Sequence, residues 1–281
     1  MIGNDRGRGD RGVALLIALV VTALLIALVF EFAYGTRVSL RGAVNFRDSQ
    51  RAYYLARSGV SFVGKLLADN LKKGKLQDNL EQREWQAVPI ISTGDSELLV
   101  RWDDEAGKIN ISNVRDGQDS LKRLERLFGL PGMRIDLEAL DRIRELQSIN
   151  LVGDLHKVLS DEEYRKIQSC NNDQGCVTVY GLGTIDINTA SSEVLQSLGI
   201  SEPAAATIIE ARKQDPFSDK SKLASSYGLD SVTLGMLDVK SNVFLVRSYA
   251  TVGGYTKQAE AVITRDLSFK EGYTVQYRKI L

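Results

Sequence analysis

One uninterrupted apolar segment, from Val13 to Phe30, constrains the fold of this chain more than any other feature. Its sequence is VALLIALVVTALLIALVF, 18 residues in which Thr22 is the one polar side chain. As a helix it would extend about 27 Å, close to the ~30 Å hydrocarbon core of a bilayer. The segment therefore predicts a single membrane-spanning helix to which the rest of the chain is attached.

The flanks of this segment distinguish a lasting anchor from a secretory signal peptide. No small-residue cleavage site and no change of composition follow Phe30, and helical spacing continues from Glu31 onward. Basic residues are more concentrated before the segment than after it, which favours a cytoplasmic N-terminus. The arginines concerned are Arg6, Arg8 and Arg11 on the near side, with Arg37 and Arg41 on the far side.

Composition excludes several classes of function. Lys plus Arg and Asp plus Glu both number 36, so the formal net charge of +0 offers no general field for nucleic acid or anionic lipid. His156 is the one histidine, and it lies between Leu155 and Lys157, where a surface or packing role is expected. The sequence has no nucleophile elbow, phosphate loop or paired metal-ligand motif, so we predict that the protein is not an enzyme.

The residues after the apolar segment predict a longer helix that covers a sheet. Apolar side chains recur three or four residues apart as far as about Lys73, which indicates an amphipathic continuation over residues 31–73. Its glycines are expected to mark bends or close packing. The apolar positions are Tyr53, Ala56, Val60, Val63, Leu67 and Leu71, and the glycines are Gly35, Gly42, Gly59 and Gly64.

Strand patterns stand on both sides of a long helical region. Residues 74–115 contain the run ELLVRWDDEAGKINISNV, which predicts a hairpin that turns from Asp104 to Gly107. Residues 116–240 form short amphipathic helices separated by Gly or Pro, and residues 241–281 return to strands with a turn at Gly253 and Gly254. The final strands must rejoin the first sheet. The predicted fold is α+β: a long helix on an antiparallel sheet with an inserted helical subdomain.

The junction between Gly12 and Val13 resembles the class III signal of type IV pilins and pseudopilins. The resemblance implies that a prepilin peptidase removes the leader, residues 1–12, and that the new amine of Val13 is methylated. Most of that family have glutamate at the fifth mature residue, where this chain has Ile17. An apolar residue there is typical of the K class of pseudopilins, at the fibre tip. An uncleaved signal anchor is the alternative.

The helical region also resembles the K class. The segments INLVGDLHKVLSDEEYRKIQ and VTVYGLGTIDINTASSEVLQSLGISEPAAATIIEARK follow the order and wording of its helical domain. Asn188 or Thr189 is predicted to cap a helix that has Glu193 in its first turn. The region is similar to helix-hairpin-helix and SAM-like modules as well. Its hairpin, Gly199 to Pro203, lacks the second glycine that phosphate binding uses, so a protein-contact scaffold is favoured over DNA binding.

The resemblance implies a specific role. It predicts a minor pseudopilin at the tip of a type II secretion pseudopilus, which initiates or caps fibre assembly for protein export across the outer membrane. The chain would lie in the bacterial inner membrane as a single pass with a periplasmic C-terminal domain. Its expected partners are the I-class and J-class minor pseudopilins, the major pseudopilin, prepilin peptidase and the secreted cargo. The alternatives are a membrane-anchored DNA-uptake protein and a minor pilin of a type IV pilus.

Two further sites are predicted. Cys170 and Cys176 lie in a tight polar loop and would form a local disulfide in the oxidising periplasm.

The resemblance also implies a calcium site, and calcium needs several hard oxygen ligands. The acidic stretch expected after the hairpin is basic here. The candidate ligands are Asn171, Asn172, Asp173, Gln174, Asp103, Asp104 and Glu105.

Overall fold

The computed structural model describes residues 6–74, 85–88, 96–112, 118–146, 148–170 and 175–281. The sequence is also strand-like at residues 90–92, but these residues lie outside this part of the chain. Four candidate calcium ligands, residues 171–174, also lie outside it. The first five residues of the predicted leader lie outside it as well.

A single long helix, α1 (Arg6–Lys72), forms the N-terminal part of the structure. Large apolar side chains between Val13 and Phe30 are 50% to 71% exposed, so the protein itself does not cover this segment. Further along, one face becomes buried because its apolar side chains, spaced three or four residues apart, pack on the sheet. The buried side chains of this face include Ala52, Ala56, Val60, Val63 and Leu67. The predicted buried face is therefore confirmed from Ala52 to Leu67, whereas residues 31–43 are exposed all round the helix.

The sheet beside α1 has five antiparallel strands in the order β1–β2–β7–β8–β9. They are β1 (Gln86–Ala87), β2 (Ser96–Asp104), β7 (Val243–Val252), β8 (Tyr255–Arg265) and β9 (Tyr273–Ile280). Strand β7 pairs with β2 from Ser96 opposite Val252 to Asp104 opposite Phe244. Thus the last strands rejoin the first sheet across the inserted region, as predicted, and Gly253 with Gly254 turns β7 into β8.

The predicted hairpin after β2 is wrong. Strand β7 pairs with β2 along its whole length, and β1 pairs with Leu99 and Val100 on the other edge. The chain beyond Gly107 does not fold back on β2. It leaves the sheet instead, and β3 (Ile109–Asn110) pairs in parallel with β4 (Val177–Thr178). Ile109 and its neighbour Ile111 are buried in the helical part of the molecule.

In the part of the chain that the structure describes, the helical lobe has seven α-helices, one 3₁₀ helix and two small parallel ladders, joined by short loops. Besides β3–β4, the second ladder pairs β5 (Ile185–Asp186) with β6 (Leu237–Asp238). Its core includes Leu124, Phe128 and Ile143 and is separate from the core between α1 and the sheet. The helices are α2 (Gln118–Gly129), α3 (Glu138–Arg144), a 3₁₀ helix (Val152–Lys157), α4 (Asp161–Gln168), α5 (Ser192–Ser197), α6 (Glu202–Gln214), α7 (Ser221–Tyr227) and α8 (Ser231–Met236).

The predicted cap of α5 is also wrong. Ser191, not Asn188 or Thr189, is the N-cap residue, and its Oγ accepts a hydrogen bond from the backbone N–H of Val194 at 3.2 Å. The helix begins later than the sequence suggested because the side chains of Asn188 and Thr189 are engaged elsewhere. Glu193 does lie in the first turn.

Two glycines of α1 allow close contact with the sheet. A Cβ at Gly59 would lie 2.2 Å from Ser248 Oγ, and one at Gly64 would lie 2.5 Å from the Tyr273 ring. Gly35 has no heavy atom within 4 Å of the corresponding position. The prediction of close packing is confirmed at Gly59 and Gly64.

We expect Gly59→Val to lower the free energy of unfolding of the full chain in detergent by about 1–3 kcal/mol, because the larger side chain overpacks the contact between helix and sheet. Urea denaturation followed by circular dichroism measures this. The matched control, Gly35→Val, adds the same atoms where the glycine has open space. Equal losses in both variants would contradict the role given to the contact.

Candidate functional site

The apolar part of α1 is the first candidate site, because its surface is unsuited to water. It belongs to the one helix, among the described residues, that is long and apolar enough to cross a membrane. Thr22 donates its hydroxyl to the backbone oxygens of Ala18 and Leu19, so the polar side chain within this segment is satisfied inside the helix. The segment can therefore lie in lipid or pack against similar helices.

The predicted processing residues lie within α1. Gly12 and Val13 continue the helix without a break, and nothing approaches Gly12 within 4 Å of a Cβ position. Ile17, at the fifth position after Gly12, is 56% exposed on the helix surface. These positions leave the junction open to a processing enzyme, and cleavage and methylation stay predictions.

The helical lobe joins the sheet at the end that is remote from the apolar segment. The turn between β7 and β8 lies beside Asp48, since a Cβ at Gly253 would come 2.5 Å from its Oδ2. The opposite end of the sheet lies beside the last turns of α1, where Gly272 approaches Ala68. Asp104 and Phe244 are paired at that second end, and there the chain enters and leaves the lobe.

Asp104 joins three segments at this point. Its carboxylate is buried and accepts hydrogen bonds from the hydroxyls of Thr189 and Ser241 and from the backbone N–H of Ala106 at 2.7 Å. Thr189 belongs to the middle of the lobe, and Ser241 is where the lobe returns to the sheet. Burial raises the pKa of Asp104, an effect that these hydrogen bonds oppose.

Other buried polar groups strengthen the same junction. Lys108 donates to Glu105, and the hydroxyl of Thr178 donates to the other carboxylate oxygen of Glu105 at 2.6 Å. Arg265 donates to the backbone oxygen of Ser241 through Nε at 3.0 Å and Nη2 at 2.7 Å. Directed bonds of this kind, unlike apolar contacts, fix how the lobe is held on the sheet.

Asn188, predicted as a cap, has a different role within the lobe. Its Oδ1 accepts from the backbone N–H of Phe217 at 2.8 Å, and its Nδ2 donates to the carbonyls of Phe217 and Val239 at 2.9 and 3.2 Å. The side chain therefore ties three distant parts of the lobe together. Sequence reasoning missed this role because both partners are far away in the chain.

The candidate calcium ligands next to the junction do not form a metal site. The carboxylate of Asp103 forms ion pairs with Arg101 and Arg247, at N–O distances of 3.1 and 2.8 Å. Asp104 and Glu105 accept hydrogen bonds from the donors described above. The three carboxylates face different donors, and their arrangement does not suit the binding of a metal cation. Within the described ranges, no cluster of three or more acidic, histidine or cysteine side chains could hold one.

Cys170 and Cys176 lie with their Cα atoms 5.2 Å apart, within the range that disulfides adopt. If they are oxidised, closing a loop of seven residues stabilises the fold by about 2.4 kcal/mol on the chain-entropy model. We expect Cys170→Ser/Cys176→Ser to lower the urea midpoint accordingly. Reductant should lower the midpoint of the wild type to a similar degree and leave that of the double variant unchanged. A wild type that does not respond to reductant would contradict the disulfide.

His156 packs on the ring of Tyr164, with ring centroids 3.6 Å apart. Its Nδ1 lies 3.9 Å from an oxygen of Asp161, whose side chain is 89% exposed. This is the environment of a surface packing residue, as the sequence suggested.

The hairpin between α5 and α6 packs against other parts of the helical lobe. Gly199 has a φ of 93°, and Arg126 of α2 lies 3.3 Å from the position of a Cβ there. Ile200 is buried, and Glu202 begins the next helix. The glycine thus supports contact between helices of the lobe.

Comparisons with known proteins agree with this architecture. Residues 182–237 match the family model of the helix-hairpin-helix motif. Type II secretion system protein K of Pseudomonas aeruginosa is 23% identical over 251 residues, which cover 76% of this chain and 75% of the relative. A chain of the GspK–GspI–GspJ complex from the enterotoxigenic Escherichia coli Type 2 Secretion System superimposes with a TM-score of 0.66 at 15% identity. The superposition covers 85% of the present chain and 99% of the other.

Proposed function

We infer that the chain is a K-class minor pseudopilin of a type II secretion system, the class that its sequence resembles. The similar protein from Pseudomonas aeruginosa and the shared fold both support this assignment. The relatives are structural components of a secretion system, which agrees with a role that is not enzymatic.

We propose further that the protein occupies the tip of the pseudopilus. The observation that carries this proposal is the position of the helical lobe, which joins the sheet at the end remote from the apolar part of α1. A lobe of this size would obstruct stacking of further subunits above it, whereas at a tip it has free space. Ile17 supports the same position, because a carboxylate in hydrocarbon is costly without a neighbour's amine to pair with.

In this proposal, α1 has two successive uses. It first holds the protein in the inner membrane, with the N-terminus in the cytoplasm and the sheet and lobe in the periplasm. It then packs against the α1 helices of I-class and J-class subunits, and through them joins the major pseudopilin. The solved complex of K, I and J proteins makes these two classes the first partners to test. Prepilin peptidase and the exported cargo are the remaining proposed partners.

The mature mass of the protein tests the assignment. We expect the chain purified from cells with prepilin peptidase to begin at Val13 and to carry one added methyl group. In cells that lack the peptidase, the chain should keep Met1 to Gly12. Intact-mass spectrometry distinguishes these forms, and a chain that keeps its leader in both strains would contradict the proposal.

The helix-hairpin-helix match at residues 182–237 is the specific observation that favours a DNA-uptake protein. A salt titration of binding to duplex DNA separates the two functions, because phosphate contacts weaken steeply as salt increases. We expect no salt-dependent binding from a hairpin whose glycine is packed against Arg126. A minor pilin of a type IV pilus shares the helix, and copurification with I-class and J-class subunits distinguishes it.

A further inference from the structure

A cleft between the helical lobe and the outer face of the sheet has the properties of a binding site. Its volume is about 300 Å³, at the small end of the range for ligand pockets. One wall comes from β7, β8 and β9, and the other comes from the 3₁₀ helix, α4 and the loop after β4. Such a space accepts one or two amino-acid side chains rather than a folded domain.

The charged groups of the cleft are paired, but their hydrogen-bonding capacity is not exhausted. Lys108 is 5% exposed and has three N–H donors, of which one reaches Glu105; among the residues that the structure describes it has no second acceptor. Arg247 donates through Nε to Glu260 at 3.1 Å and through Nη1 to Asp103 at 2.8 Å. Its Nη2 has no acceptor in the described ranges.

Three tyrosines add hydroxyl groups to the same cleft. Tyr164, Tyr180 and Tyr277 line it from three different elements, and each is half-buried. Their hydroxyls make no hydrogen bond to any residue of the described chain, so water satisfies them when the cleft is empty. The unused donors of the cleft therefore belong to an ammonium, a guanidinium and three phenols, whose oxygens can accept as well.

These donors indicate the chemical class of ligand that the cleft would bind. Among the side chains that line the cleft, the formal charges of Glu105 and Glu260 balance those of Lys108 and Arg247. Asp103, which also pairs with Arg247, is balanced by Arg101, so the cleft has no net charge to repel an anion. A carboxylate has acceptor sites alone and forms charge-assisted bonds with Lys and Arg that are roughly twice as strong as neutral ones. Apolar side chains such as Leu151 and Leu245 could cover the stem of an acidic residue.

We propose that this cleft binds the side-chain carboxylate of an acidic residue in an extended segment of a partner protein. The ion pairs Lys108–Glu105 and Arg247–Glu260 hold the two cationic groups in place, and the tyrosines complete the donor set. The proposal does not depend on where the protein lies in a fibre.

Saturation-transfer NMR with small peptides tests the site on the full chain in a nonionic detergent. The probes are acetyl-Gly-Glu-Gly-amide, its Gln analogue and its Lys analogue. We expect the Glu peptide to bind about tenfold more tightly than the Gln peptide, the ratio for one charge-assisted bond. Equal binding of the Glu and Gln peptides, or tighter binding of the Lys peptide, would overturn the proposal.

Two variants locate the binding. Tyr277→Phe removes one hydroxyl that has no partner among the described residues and should weaken the Glu peptide severalfold without changing the circular dichroism spectrum. Arg247→Gln should weaken it about tenfold. The control, Lys270→Gln, makes the same change of charge at an exposed position outside the cleft and should bind as the wild type does. Unchanged binding in Tyr277→Phe and Arg247→Gln, or an equal loss in Lys270→Gln, would show that the peptide binds elsewhere.

Discussion

Replacing Asp104 with alanine is expected to lower the free energy of unfolding by about 3–5 kcal/mol. The reason is that the buried donors that converge on Asp104 lose this acceptor at once, and a buried donor that is left unsatisfied costs about 1–3 kcal/mol. The donors are the hydroxyls of Thr189 and Ser241 and the N–H of Ala106. Because they come from three segments, the same change should loosen the lobe on the sheet.

Urea denaturation gives the loss of stability, and limited proteolysis shows whether the lobe is released. Asp141→Ala is the matched control, since the Asp141 side chain is 77% exposed and its partner Arg144 is 3.7 Å away at the surface. Its effect should stay within about 0.5 kcal/mol. A similarly small effect of Asp104→Ala would mean that the junction depends on apolar packing instead.

The titration of Asp104 adds a pH dependence to this junction. Burial raises the pKa of Asp104 in the folded protein above the ordinary value of 3.8, so the folded state binds the proton more tightly than the unfolded state. The stabilising contribution of the protonated form is complete below that ordinary value and is lost as pH rises through the folded pKa. We expect this loss in the wild type and its absence in Asp104→Asn. Parallel pH profiles of the two would contradict it.

The features that the sequence predicted correctly are those with a local signal. Helix α1 was visible because apolar residues repeat every three or four positions from Tyr53 to Leu71, and the turn at Gly253 was marked by two adjacent glycines. The return of the final strands to the sheet followed from their position after the helical region. Each of these inferences uses residues that are neighbours in the chain.

The features that were missed depend on distant partners. The prediction of a hairpin after β2 was wrong because the strand that pairs with β2 along its whole length, β7, lies more than a hundred residues later in the chain. The predicted cap of α5 was wrong because the Thr189 side chain is hydrogen-bonded to Asp104 and the Asn188 side chain is hydrogen-bonded to Phe217. The proposed processing site at Gly12 rests on one short stretch of sequence, whereas the cleft draws Lys108, Tyr180 and Tyr277 from separate elements. No spacing in the sequence indicates that grouping.

If the chain is processed and works in secretion as we propose, replacing Gly12 with valine is expected to abolish protein export. A peptidase that cleaves after glycine would meet three additional carbon atoms beside the scissile bond, so the leader should remain attached. The retained leader carries Arg6, Arg8 and Arg11, which would have to enter the bilayer when the subunit leaves the membrane for the fibre. Each costs about 2.5–3.5 kcal/mol at the bilayer centre on insertion scales, which together would prevent assembly.

The measurements are the intact mass of the variant and the amount of exported protein in the medium of a strain whose own copy is deleted. Gly9→Val places the same side chain inside the leader, three residues before the junction, and should be processed and support export as the wild type does. Because the valine in Gly12→Val lies in a helix that continues on both sides, it should not disturb the folded domain. Normal export by a Gly12→Val protein that keeps its leader would show that α1 acts as a membrane anchor alone, without release into a fibre.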